Sequence, residues 1–273
     1  MKGNLSDLVI MSDVDGTLLH WAKNGGKTPA RNIEALERFT SKGGRFAIAT
    51  GRALLTARPV AEVLPVNFPC VILNGGAVYD FQSNEYLHKL YLPDGAQRYV
   101  KEILKAFPQC GGVFVDENYY YDVDGVTRNE YLRLYPNNLL MPVGFDELKG
   151  PFLKALIVLP PERMKPVYEY VSQASFNGVR FVLSDRHMLE MLPDGSSKGD
   201  ALERITRLTG VKRENMVAIG DFYNDIEMIE YAGLGVTMSD APEDIRNIAQ
   251  MIVCPCADGA LADLVERLES RCD

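Results

Sequence analysis

Short apolar runs alternate with amphipathic stretches along most of the chain, the rhythm of a parallel sheet whose crossovers are helices. Residues 8–11 are wholly apolar and predict a buried strand. A helix over about 29–42 follows, with Ile33, Leu36 and Phe39 on one side and Gly43-Gly44 closing it. Residues 45–50 predict a second strand, 53–64 a helix and 70–73 a third strand. The same rhythm resumes late: a helix over 198–209 stopped by Gly210, a strand at 216–219, and a helix over 225–231. After it come a short run at 234–236, a helix opened by Pro242 with Ile245 inward, and a strand at 251–254. Leu261, Leu264, Val265 and Leu268 then recur at the i, i+3, i+4, i+7 spacing of a last helix.

Between these halves the pattern changes. A strand is expected near 86–91, then a helix over 94–107 with Tyr99, Val100 and Ile103 on one face, then strands at 113–116 and 119–123. Another strand (153–159), a helix (162–175) and a hairpin (179–183 with 188–192) follow. Strand-helix-strand-strand units of this kind predict an α+β sheet with helices on one face. The chain therefore divides into a core, residues 1–83 and 190–273, and an α+β domain inserted over 84–189.

Composition narrows the class. Of the 273 residues 47% are hydrophobic and 24% charged, as in soluble globular proteins, and the chain is long enough for a sizeable core. The net charge of −8 argues against nucleic acid or an anionic membrane surface as partner, since both need a basic footprint. No apolar run approaches the ~20 residues of a membrane span, and MKGNLSDLVIM is not followed by a cleavage pattern. A cytoplasmic location is the expectation. Five cysteines without paired metal-ligand spacing, Cys254-Pro255-Cys256 included, read as reduced structural thiols.

The candidate chemistry lies where the core strands end, because ligands of open parallel sheets sit outside the carboxyl ends of the strands. The first strand exits into Ser12-Asp13-Val14-Asp15-Gly16-Thr17, the second into Thr50-Gly51-Arg52, the third into Asn74-Gly75-Gly76. The strand at 216–219 exits into Gly220-Asp221-Phe222-Tyr223-Asn224-Asp225, and Lys198 follows Gly195-Ser196-Ser197 at the start of a helix. Asp13, Asp15, Asp221 and Asp225 are hard oxygen donors that suit Mg²⁺, which would also relieve the repulsion between Asp13 and Asp15. A phosphate there would find donors in the Thr50 hydroxyl, the backbone amides of Val14 and Gly51, and the Lys198 ammonium. Asp13 would act as nucleophile, and Asp15 as the acid that protonates the leaving oxygen and the base that activates water.

These motifs resemble those of the haloacid dehalogenase (HAD) superfamily: Asp13-Val14-Asp15-Gly16-Thr17 the first, Thr50-Gly51-Arg52 the second, Lys198 the third, Gly220-Asp221 with Asn224-Asp225 the fourth. Asn74-Gly75-Gly76, Ser197-Lys198-Gly199 and the inserted segment are similar to those of its Cof-type hydrolases. The resemblance implies a Rossmann-like α/β core with an inserted cap, and a Mg²⁺-dependent phosphatase of small phosphorylated metabolites such as sugar phosphates. It implies Asp13, Asp15 (through its carbonyl) and Asp221 as metal ligands. Thr50, Gly51, Lys198 and Asn224 would hold the phosphate, and Asp225 would orient the lysine or the metal's waters.

Two other functions fit the same motifs: a phosphomutase of the phosphomannomutase kind, and a non-catalytic regulatory protein on the same fold. Arg52 is expected to brace its loop. Asn74, Gly75, Arg186 and Glu190 are candidates for substrate specificity, Arg186 as a partner for a second anionic group. Asp116-Glu117 and Asp122-Asp124 read as solvated turns, and the loop 23–27 as a flap. Oligomeric state is not readable from the sequence.

Overall fold

The structure is a computed structural model and describes residues 4–22, 25–123 and 140–272. In chain order the elements begin β1 (Val9–Ser12), β2 (His20–Ala22), β3 (Gly25–Lys27), α1 (Ala30–Ser41), β4 (Arg45–Ile48) and α2 (Leu54–Ala61). They continue as β5 (Cys70–Ile72), β6 (Ala77–Asp80), β7 (Glu85–Lys89), α3 (Gln97–Ala106), β8 (Gly111–Val115) and β9 (Tyr120–Asp122). Next are β10 (Leu140–Pro142), β11 (Lys154–Val158), α4 (Met164–Gln173), β12 (Val179–Asp185) and β13 (Met188–Pro193). The chain ends with α5 (Lys198–Thr209), β14 (Met216–Ile219), α6 (Ile226–Tyr231), β15 (Leu234–Met238), α7 (Glu243–Ile248), β16 (Met251–Val253) and α8 (Ala260–Cys272). Among the described residues no helix is long and apolar enough to cross a membrane.

Two compact units emerge. The first comprises residues 1–52, 57–88 and 197–273, the second 53–56 and 89–196. The divisions thus fall several residues further along the chain than 83/84 and 189/190.

The first unit is built on a five-stranded parallel sheet in the order β16-β15-β14-β1-β4. β1 and β14 are buried at every position, so both faces are covered and the strands read as unbroken apolar runs. From β1 the chain moves to one side to form β4 and later returns to the other side to form β14. The strand order therefore reverses beside β1, which is where such sheets open a crevice. Ser12 pairs with Ile219 on one side and Ile48 on the other, so the three strands end level. The helices follow their sequence signals: Ser197 caps α5 by accepting from the Asp200 amide at 2.9 Å, and Gly210 closes it in left-handed conformation.

The third expected strand behaves differently. β5 touches the core sheet through a single parallel bridge, Ala49 to Val71, and otherwise belongs to a three-stranded sheet β5-β6-β7. β6 was not expected from the sequence, and β7, expected in the inserted segment, packs in the first unit. The reason is local. The reversal at 73–76 turns the chain into an antiparallel pair, Ile72 opposite Ala77, and a second turn at 81–84 lays β7 beside β6.

The second unit is a six-stranded sheet, β10-β9-β8-β11-β13-β12, with antiparallel pairing except between β9 and β10. One face of alternating residues, including Phe114, Ala155, Ile157, Leu189 and Met191, packs with Val100 and Ile103 of α3 and Val167 and Val171 of α4. Asp116 closes the β8–β9 turn by accepting from the amides of Asn118 and Tyr119, both at 2.7 Å. Asp122, expected in a solvated turn, is instead buried as the last residue of β9, where it pairs opposite Val113 of β8. Asp124 and, in the expected flap, Lys23 and Asn24 lie outside the described residues. Cys70, Cys110, Cys254 and Cys256 are free thiols.

Candidate active site

The ends of β1 and β14 converge at the reversal of strand order. The Asp13 amide donates to the Ile219 carbonyl at 2.9 Å, so Asp13 and Asp221 leave adjacent strands side by side. Lys198, at the first position of α5 and fully buried, reaches Asp13 and the turn that follows β14. Its Nζ donates to Asp13 Oδ1 at 2.5 Å and to Asp225 Oδ1 at 2.6 Å. The other Asp225 oxygen accepts from the backbone amides of Asp221 (2.9 Å) and Phe222 (3.0 Å). One side chain thus shapes the turn after β14 and anchors the lysine.

Asp221 is held by the Thr17 hydroxyl, which donates to Oδ1 at 2.7 Å. Between Asp15 and Thr17 the chain must pass directly over that carboxylate: a Cβ on Gly16, whose φ is +96°, would stand 2.5 Å from Asp221 Oδ2. Only glycine fits both the conformation and the gap.

Carboxylate oxygens of Asp13, Asp221 and Asp225 lie within 4.8 Å of one another. Three carboxylates here face one ammonium, which leaves two negative charges uncompensated in a buried place. Burial, and then Asp225, push the Asp221 carboxyl up to about 7. Burial also lifts the Asp13 carboxyl well above the usual carboxylate range, against the pull of Lys198 and with the push of Asp225, Asp221 and Asp15. For Lys198 burial works downward, but Asp13 and Asp225 outweigh it and its pKa rises, so it stays charged. An all-oxygen, over-charged donor set of this kind fits a divalent cation such as Mg²⁺.

Asp15 stands apart from that cluster. Its carboxylate is gripped by Arg52, Nε to Oδ2 at 2.8 Å and Nη2 to Oδ1 at 2.6 Å, a pairing that ties the turn after β4 to the turn after β1. Val14 is buried between the two aspartates. The Thr50 amide is used by the Val71 carbonyl (2.9 Å), and Thr50 Oγ1 accepts from the Arg52 amide (3.2 Å), which leaves the hydroxyl proton to be directed elsewhere. Gly51 adjoins Asn74, and Asn74 accepts from Asn224 Nδ2 at 2.9 Å. Gly75 packs its backbone on that of Ser197, just ahead of Lys198. The structure thus brings Asp13, Asp221, Asp225 and Lys198 together in one cluster and Thr50, Gly51, Asn74 and Asn224 in a second, contiguous set.

Two candidates lie in the second unit. Arg186 is exposed in the turn between β12 and β13. Glu190 is buried on β13 and accepts from Lys154 Nζ at 2.8 Å and Ser184 Oγ at 2.7 Å, so a ligand contact by Glu190 has to compete with this pair. Lys154 was missed by sequence reasoning. The signal available was a lysine opening the apolar run Ala155–Val158, which demands a buried partner.

The model of the haloacid dehalogenase-like hydrolases matches residues 10–265, from β1 into α8. The chain belongs to that family. It is a HAD-type hydrolase of the Cof kind, a phosphoric monoester hydrolase. Among curated relatives, a 5-amino-6-(5-phospho-D-ribitylamino)uracil phosphatase of Bacillus subtilis is 28% identical over 249 residues, covering 89% of this chain and 88% of its own. The pyridoxal phosphate phosphatase of Escherichia coli is 25% identical over 268 residues, 94% of this chain and 97% of its own. A solved haloacid dehalogenase-like hydrolase from Bacteroides thetaiotaomicron superposes with a TM-score of 0.82 at 25% identity, covering 96% of this chain and 99% of that one.

Proposed function

We propose that this HAD-type phosphatase hydrolyses phosphate monoesters of small polar metabolites, sugar phosphates among them, through a phosphoryl group carried on Asp13. The observation that carries the reading is Lys198 Nζ, fully buried and shared between Asp13 and Asp225. A lysine in that position orients a carboxylate oxygen and offers its charge to an incoming phosphate.

Asp13 attacks phosphorus with one carboxylate oxygen, a P–O bond to Asp13 forms, and the ester P–O bond breaks. Asp15 gives its proton to the departing oxygen. In the second half water attacks the same phosphorus, Asp15 takes the water's proton, and the Asp13–phosphorus bond breaks to release inorganic phosphate. Lys198, the Thr50 hydroxyl and the backbone at Val14 and Gly51 hold the phosphoryl oxygens throughout, with Asn224 beside them. Asp13, Asp221 and the carbonyl of Asp15 would hold Mg²⁺, with Asp225 supporting; the ion supplies positive charge that offsets the crowded carboxylates and the phosphate. Relatives named for a ribitylamino-uracil phosphate and for pyridoxal phosphate support a small phosphomonoester as the substrate class.

A panel of phosphorylated metabolites, assayed with Mg²⁺ and with the metal chelated, tests this. Asp13→Asn is expected to abolish turnover of every ester that the parent accepts, and chelation to do the same reversibly. An Asp13→Asn variant as active as the parent removes the nucleophile assignment.

A further inference from the structure

Three consecutive residues after β5 adopt a backbone that L-amino acids avoid. Leu73 (φ 57°), Asn74 (φ 53°) and Gly75 (φ 94°) are all left-handed, a conformation readily taken by glycine and otherwise kept only where the surroundings enforce it. Here they do. The Asn74 amide donates to the Thr50 carbonyl at 3.0 Å and the Leu73 amide to the Arg52 carbonyl at 2.9 Å. On the other side a Cβ at Gly75 would run into the backbone of Ser197. The segment is wedged between the turn that carries Thr50 and Gly51 and the residue that precedes Lys198.

That wedge fixes one side chain. Asn74 is 2% exposed, and its Oδ1 is occupied by Asn224 Nδ2. Its Nδ2 has no hydrogen-bond partner among the described residues. The nitrogen lies against the Gly51 backbone, so close that a Cβ on Gly51 would stand 2.8 Å from it. A buried amide nitrogen without an acceptor is costly, and here it sits on strained backbone beside the Thr50–Gly51 turn. An N–H held this way suits an anionic oxygen and repels a cation.

We propose that Asn74 is a phosphoryl-binding residue, whose Nδ2 donates to a non-bridging oxygen of the substrate's phosphate while Asn224 fixes the orientation of its amide. The inference rests on the phosphomonoester reading of the site. Gly51 then has a second duty besides its backbone amide: it leaves room for the Asn74 nitrogen at the cradle.

Two variants test it by calorimetric titration of inorganic phosphate onto the full chain with Mg²⁺ present, alongside Tm. Asn74→Gly relieves the left-handed backbone and deletes the amide. Asn74→Asp keeps the shape and the acceptor for Asn224 but puts a carboxylate where the donor was. Phosphate affinity is expected to fall roughly ten- to a hundred-fold in Asn74→Gly, the size of a hydrogen bond to a charged group. The fall should be larger in Asn74→Asp, which keeps the acceptor for Asn224. Affinities within about two-fold of the parent in both variants overturn the proposal, as does a loss of affinity that merely follows a loss of Tm. If Asp13→Asn is inactive while both Asn74 variants bind phosphate like the parent, this inference alone fails. If Asp13→Asn hydrolyses esters normally, the underlying reading fails first.

Discussion

Arg52 grips both carboxylate oxygens of Asp15, at 2.8 and 2.6 Å. The two residues leave different strands, and the fork fixes the carboxylate in one orientation that a single-point donor could not. If Asp15 gives a proton to the ester oxygen and takes one from water, Arg52 governs both transfers without touching phosphorus.

Arg52→Ala is therefore expected to slow hydrolysis of an alkyl phosphate by about ten-fold or more, a part of the 10²–10⁴ that a general acid supplies. p-Nitrophenyl phosphate, whose leaving group needs no proton, should be affected much less in its first step. In an Asp15→Asn background the Arg52 change should add nothing, since residues acting as a unit are not additive. Equal losses for both esters, or losses that multiply in the double variant, place Arg52 on the phosphate instead.

Lys154 and Glu190 form a buried pair, each about 4% exposed at the side chain. Removing one partner strands the other charge, so Lys154→Ala should lower stability to urea by about 3–5 kcal/mol. Replacing both by apolar residues of similar size should recover most of that loss. A Lys154→Ala chain as stable as the parent would show that the pair contributes nothing.

At the α1–α8 contact, Glu269 accepts from Arg38 (3.1 Å) and Lys42 (2.8 Å). The Arg38 hydrogen bond, ahead of Lys42, draws its carboxyl below the usual glutamate value of 4.5. A lowered folded pKa stabilises the native state above the unfolded value, and that contribution is lost as pH falls through the folded one. Glu269→Gln should cost about 0.2–1 kcal/mol near pH 7, and the difference from the parent should vanish in strong acid. Thermal unfolding across that pH range measures it, and a constant offset at all pH values contradicts the assignment.

The core was readable because its information is local: four strand ends carry short polar, glycine-containing turns, and the apolar runs before them are buried on both faces. The unpredicted β6 followed from the same kind of information wrongly divided, since Asn74-Gly75-Gly76 reads as the end of one strand while it is also the bend into the next. What the sequence concealed is pairing across distance. Arg52 lies 37 residues from Asp15, and Lys154 lies 36 from Glu190, and only folding makes them neighbours. The double service of Asp225, one oxygen on Lys198 and the other on two backbone amides, is likewise a property of the turn's shape. Asn74 shows this most plainly: asparagine before glycine signals a turn, but that its nitrogen lacks a partner among the described residues is visible only once Asn224 has taken the other end of the amide.

On the proposed route the phosphoryl group passes through Asp13. The most direct measurement is the stereochemical course at phosphorus, using a chiral, oxygen-isotope-labelled thiophosphate monoester hydrolysed in isotopically labelled water. Transfer to Asp13 and then to water inverts phosphorus twice, so net retention is expected. Net inversion would mean that water attacks the ester directly, and Asp13 would then be no nucleophile.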